Sequence, residues 1–151
     1  MAERLFLGNM MVTELGGLAI KLTNKTGATS VKGTLVDAHT SVASAFALVG
    51  VGGVDPCGIV YGDDAGEQVA DAVECWVVVT GIAQVLFTGS TTLGHFARMS
   101  IAADTGDAAG LAQSEAVPTS PFATDKHFQE IGHVIEAIGA AGLAKCVLHF
   151  N

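Results

Sequence analysis

Charge is what this sequence has least of. Asp, Glu, Lys and Arg make up 15% of the residues, against roughly 25% in an average soluble domain. A small globule has much surface for its volume and ordinarily covers it with charge. A chain this poor in charge is expected to hide part of its surface against partners, in an oligomer or an assembly. Basic residues are scarcer still: seven Lys and Arg, scattered from Arg4 to Lys145, leave a net charge of −8. Binding to nucleic acid and attraction to an anionic membrane both need clustered cations, so both classes of partner are excluded. Cysteine is sparse and odd in number, with Cys57, Cys75 and Cys146 forming no C-x-x-C pair. That argues against a disulfide framework and for reduced, mostly buried thiols in a protein made in the cytoplasm.

Long apolar runs are missing as well. "MAERLFLGNMMV" sets Glu3 beside Arg4 and breaks its apolar run at Gly8 and Asn9, unlike a secretion signal. The longest stretch free of Asp, Glu, Lys and Arg, Cys75 to Ala97, is interrupted by Thr80, Gly81, Gln84, Gly89, Ser90 and Gly94. It suits strands and a turn better than a membrane span. The expectation is a soluble chain, and its 151 residues suffice for one domain.

What the chain does have is glycine, nineteen in all, between short β-branched runs. The pattern predicts a mainly β fold. "GLAIKLTN" alternates Leu18, Ile20 and Leu22 against Ala19, Lys21 and Thr23. The turn "NKTGATS" and the return "VKGTLVDA" complete an expected hairpin. Ser41 to Val54 fits either strand or helical turn, and "GEQVADAV" either helical turns or loop. "ECWVVVTG" is apolar on both faces and so expects cover on both sides, with "IAQVLFTG" continuing it. Gly81 between them marks a bend or bulge of the kind that curls a sheet into a barrel. Residues 100–126 turn to Ala, Gly, Asp, Ser, Thr and Pro, which predicts a long surface loop. An internal repeat is visible: "CGIVYGDDAG…ECWVVVTG" and "IGHVIEAIGAAG…AKCVLHFN" align Gly58 with Gly132, Val60 with Val134 and Cys75 with Cys146.

The chemistry-bearing candidates thin out on inspection. "HFQEIGHVIE" offers His127, Glu130 and His133. On a helix they would spread over about 120°, and the zinc helix motif spaces its histidines differently. On a strand, His127 and His133 share a face with Ile131, while Glu130 points the other way. The expectation is therefore no metal, no cofactor and no catalytic set here. His149 approaches His133 if the last two strands pair. No G-x-S-x-G elbow, phosphate loop or calcium-hand register is present either.

Three quoted segments carry a resemblance: "GLAIKLTNKTGATSVKGTLV", "GIVYGDDAGEQVADAVECWVVVTGIAQVLF" and the ending "EIGHVIEAIGAAGLAKCVLHFN". Over most of residues 16–151 the chain resembles the capsid cement, or decoration, proteins of tailed bacteriophages. They share a G-[IV]-V strand, an Ala-Gly turn and a terminal "IG-x-V-x-E…V-x-x-x-F-N" hairpin. The resemblance implies a small β-barrel or β-tulip-like domain, residues 18–151, behind an extended N-terminal arm, residues 1–17. It further implies a non-enzymatic virion protein on the capsid surface, made in the host cytoplasm. Its partners would be the major capsid protein and its own copies in a homotrimer. The apolar cluster Leu5, Phe6, Leu7, Met10, Met11 and Val12 fits either a strand packed on the protein's own core or an arm that adds to another subunit's sheet. In the second case these are the expected contact residues, with Phe122 in the long segment and His127 just after it. The competing expectations are another β-barrel virion subunit, from a tail tube or head–tail connector, and a small metal-dependent hydrolase using His127, Glu130 and His133.

Overall fold

The computed structural model describes residues 5–62, 66–102, 104, 106, 108–117 and 128–150. Thirteen strands form among the described residues, and the fold is mainly β, as the alternation predicts. They are β1 (Leu5–Leu7), β2 (Met10–Val12), β3 (Leu18–Asn24), β4 (Ser30–Val31), β5 (Leu35–Ala38), β6 (Ala45–Leu48) and β7 (Gly58–Gly62). There follow β8 (Gln68–Val69), β9 (Glu74–Phe87), β10 (Phe96–Met99), β11 (Ala112–Glu115), β12 (Glu130–Val134) and β13 (Gly142–Leu148). Residues 41–54, open from sequence, contribute strand β6. "GEQVADAV" contributes β8 and a turn, with Ala72 at a positive φ.

The pairings close two five-stranded rings that share β9. The first runs β9–β3–β6–β5–β7 and back to β9, using residues Glu74 to Thr80. The second runs β9–β13–β12–β10–β11 and back, using residues Gly81 to Phe87. In each ring one link is parallel, β3 to β6 and β9 to β11, and the other four are antiparallel. Even the registers correspond. Val60 opposes Val77 in the first ring and Val134 opposes Cys146 in the second; Val36 opposes Gly58, and Ala97 opposes Gly132. Equivalent turn bonds recur: Gly33 N donates to Val60 O, Gly94 N to Val134 O, His39 N to Ala45 O and Ser100 N to Leu111 O. The repeat seen in sequence is therefore the β7–β9 pair matched with β12–β13. The cysteines, however, stand two residues apart in that match, because Cys146 takes the place of Val77.

Two sequence expectations are corrected. "GLAIKLTN" and "VKGTLVDA" do not form a hairpin, because β6 returns parallel to β3 and lies between it and β5. Asn24, at the end of β3, helps explain this: its buried amide donates to Ala28 O, Val69 O and Ala70 O and so anchors the connections rather than a tight turn. The Cys75–Ala97 stretch does hold two strands and a turn, with "IAQVLFTG" continuing "ECWVVVTG" in one strand of 14 residues and β10 following. The segment 100–126 is not all loop, since β11 pairs with β10 and meets β9.

Two apolar clusters follow from the rings. The first ring encloses Val36, Phe46, Val60, Val69, Cys75 and Val77. The second encloses Ala97, Ala112, Val134, Ala144 and Cys146, and its cluster continues onto Leu35, Ile59, Trp76 and Val78 of the first. So the first half of β9 is covered on both faces, as its apolar run Cys75–Val79 requires. The rings are also joined by main-chain bonds: Leu35 N to Gly110 O, Gly110 N to Val49 O, and Leu86 N to Gly33 O.

Where β9 passes from ring to ring it bends at Gly81, whose φ is +84°. A β-carbon there would come within 2.5 Å of the Gly16 carbonyl oxygen. Only glycine satisfies both demands. Gly81→Ala is accordingly expected to cost about 2 kcal/mol or more, seen as a lower urea midpoint; an unchanged midpoint would show the bend to be unconstrained.

One buried ion network anchors the glycine-rich connection after β10. Arg98 donates through two nitrogens to Asp104, 2.8 Å each, through Nη1 to Met99 O, and through Nε to Glu115. Asp104 also accepts from Ile101 N at 2.8 Å. Both Arg98 and Asp104 side chains are under one-tenth exposed, so each charge depends on its partner. The hydrogen bond from Arg98 holds the Asp104 carboxyl below the usual range, against the opposite pull of burial. A depressed carboxyl stabilises the fold above its unfolded pKa of about 3.9, and the contribution fades as pH falls through the folded value. Asp104→Asn should therefore lower the melting temperature at pH 7, by the equivalent of about 3 kcal/mol. Its difference from wild type should narrow below about pH 4. A difference independent of pH would mean that the charge is not what stabilises.

Candidate interaction surface

A closed ring has no sheet edge, and an edge is where another chain adds most readily. Both rings are closed, so the place to look is where strands leave them. β2 pairs with β3, and β1 pairs in turn with β2, through Leu5 with Val12, Phe6 with Met11 and Leu7 with Met10. Among the described residues, β1 ends the sheet order and has one neighbour. The two strands turn at Gly8 and Asn9, where Gly8 takes a φ of +64°.

The ribbon is apolar on its outer face. Leu7, Met10 and Val12 are 56%, 41% and 37% exposed, while Met11 between the last two is fully buried in the core. Strand alternation accounts for this: Met11 turns inward and its neighbours outward. Of the expected contact residues, then, Leu7, Met10 and Val12 lie on the surface, and Met11 serves packing instead. Leu5 and Phe6 are in β1. Phe122 and His127 lie outside the described residues. Residues 10–17 of the N-terminal stretch are bonded to the domain. β2 is hydrogen-bonded to β3, Thr13 Oγ1 accepts from Gly17 N at 2.9 Å, and Thr13 N donates to Gly17 O.

The stretch "HFQEIGHVIE" needs a second correction. Glu130 does not point away from His133. Along the β10 ladder Arg98 pairs with Glu130 and Ala97 with Gly132, so Ile131 is an extra residue, a β-bulge. The bulge resets the alternation. Ile131 and Val134 both enter the core, and Glu130 and His133 come to the same outer side. Gly132 permits it, with φ +152° and no room for a β-carbon 2.1 Å from Val147 O. β12 and β13 do pair, and the His133 and His149 rings lie 4.9 Å apart, tilted 48°. Glu130 Oε1 is 3.6 Å from His133 Nε2 and 3.4 Å from His149 Nε2. The missing sequence signal was the glycine: a lone glycine inside a strand is the mark of a bulge.

The remaining titratable groups suit packing or turns. His39 Nδ1 accepts from Ser41 N and Val42 N, and His95 Nδ1 lies 3.2 Å from Ser114 Oγ. All three cysteines are free thiols. Burial pushes the Cys57 thiol up to about 11 and the Cys146 thiol up to about 12, so neither is an activated nucleophile. No helix among the described residues is long and apolar enough to cross a membrane. No family model, curated protein or solved structure matches this chain.

Proposed function

We propose that this chain is a structural virion protein that binds the outer surface of a tailed-phage capsid and stabilises the head by bridging capsomers. The observation that carries the proposal is the β1–β2 ribbon, an apolar-faced open edge on a body whose other main strands are closed into rings. An open edge with an apolar face suits strand addition or groove docking on a neighbouring subunit. The low charge of the sequence favours a protein that works with part of its surface covered. The sequence resemblance supplies the partner: the major capsid protein, with this chain acting as a homotrimer. Its contribution to the head would be multivalent, since several weak contacts held together must all break before the protein leaves.

The test is co-sedimentation of the purified protein with expanded heads that lack it, alongside measurement of head stability. Wild type is expected to bind, with a native mass of three chains. The double variant Leu7→Glu/Met10→Glu introduces two charges into the exposed face without touching the core. It should keep the wild-type melting temperature and bind at least about tenfold more weakly, or 1.4 kcal/mol. A folded wild-type protein that does not bind heads would sink the proposal. A double variant that binds like wild type would move the contact elsewhere on the surface.

A further inference from the structure

We infer that Glu130, His133 and His149 form a binding site for a divalent transition-metal ion, with zinc the best fit, at the outer end of the second ring. These residues each offer one ligand atom, and the three atoms all lie within 4.8 Å of one another. Both imidazoles aim Nε2 at the same oxygen, Glu130 Oε1, at 3.6 and 3.4 Å. Those distances are too long for hydrogen bonds, which close to about 2.7–3.2 Å. The two Glu130 edges match those of a coordination tetrahedron, in which donors about 2.0–2.2 Å from a zinc ion stand roughly 3.3–3.6 Å apart, and the edge between the imidazoles lies within 4.8 Å. Two imidazole nitrogens and one carboxylate are a donor set that suits zinc, and a poor one for calcium or magnesium, which prefer oxygen.

The backbone places all three ligands near one another independently of any ion. The bulge at Ile131 brings Glu130 to the side of His133, and the β12–β13 register sets His133 opposite Val147, two residues before His149. His149 N also donates to Ile131 O at 3.0 Å, which ties the chain beyond β13 to the bulge itself. The fold does not demand this chemistry. At the corresponding stations of the first ring stand Cys57 and the buried Ile59.

His133 and His149 are 48% and 42% exposed, so the fourth coordination position opens to solvent. Water fills it in the free chain, and a side chain of another subunit is free to replace that water. An ion bound here would cross-link β12 to the segment after β13 and so clamp the end of the second ring, because binding to the folded state alone stabilises it.

Metal-free protein, titrated with zinc chloride by calorimetry and checked by elemental analysis after dialysis, is expected to take up one zinc per chain. Zinc should also raise the melting temperature by several degrees. His133→Ala and His149→Ala should each lose both effects, Glu130→Gln should weaken affinity at least tenfold, and Cys57→Ser should change neither. Magnesium should give no shift. Absence of saturable zinc binding in folded wild-type protein, or zinc binding that survives the double variant His133→Ala/His149→Ala, would overturn the site. Because the readouts are made on the isolated chain, they stand or fall separately from binding to capsids.

Discussion

The structure depends on a single strand serving two sheets. β9 gives its first seven residues to one ring and its last seven to the other, and neither ring closes without it. Pairing passes from β3 at Thr80 to β13 at Gly81 within one strand, so the two rings are not separate bodies joined by a linker. The apolar faces say the same. Residues on the outer side of the first ring, Leu35, Ile59 and Val78, belong to the same cluster as the interior of the second. A large share of a small chain's apolar surface is thereby removed from water, which is how 151 residues with few charges keep a defined fold.

The shared topology of the rings makes their differences informative. Equivalent interior positions carry Phe46 and Ala112, or Val36 and Ala97, so the second ring is lined by smaller side chains. At the station of Asp37 in the first ring the second has Arg98, whose buried charge organises the connection to β11. Beside it, where the first ring has Cys57 and Ile59, the second has Glu130 and His133. One backbone plan therefore supports apolar packing at Ile59 in one copy and an exposed, chemically capable group at the matching His133 in the other.

Much of this was legible in the sequence, and the failures have physical causes. Alternation along β3 and the two-faced apolar run of β9 gave the β class and the need for double cover. Gly81 announced its bend, and Gly58 and Gly132 announced the repeat. Pairing was less accessible. Alternation identifies a strand but not its neighbour, so the parallel β6 between β3 and β5 could not be seen from residues 18–38. The site around Glu130 failed for a narrower reason. Period-two counting holds only while the ladder is regular, and one extra residue, Ile131, inverts it. Gly132 was the visible warning. The inward turn of Met11 was likewise readable from period two, once Met10 and Val12 are placed on the ribbon's outer face.

The sharing of β9 also governs the order in which the molecule can be made. All strands of the first ring precede Thr80, so that ring can close on a nascent chain well before β13 exists. When it does, the outer faces of Leu35, Ile59 and Val78 are still bare, for the second ring is not complete until β13 emerges. For the interval between, the chain carries an exposed apolar face and a half-paired strand, the features that invite association with the wrong neighbour. The fold is therefore most vulnerable after β9 is made and before β13 is available to pair with it.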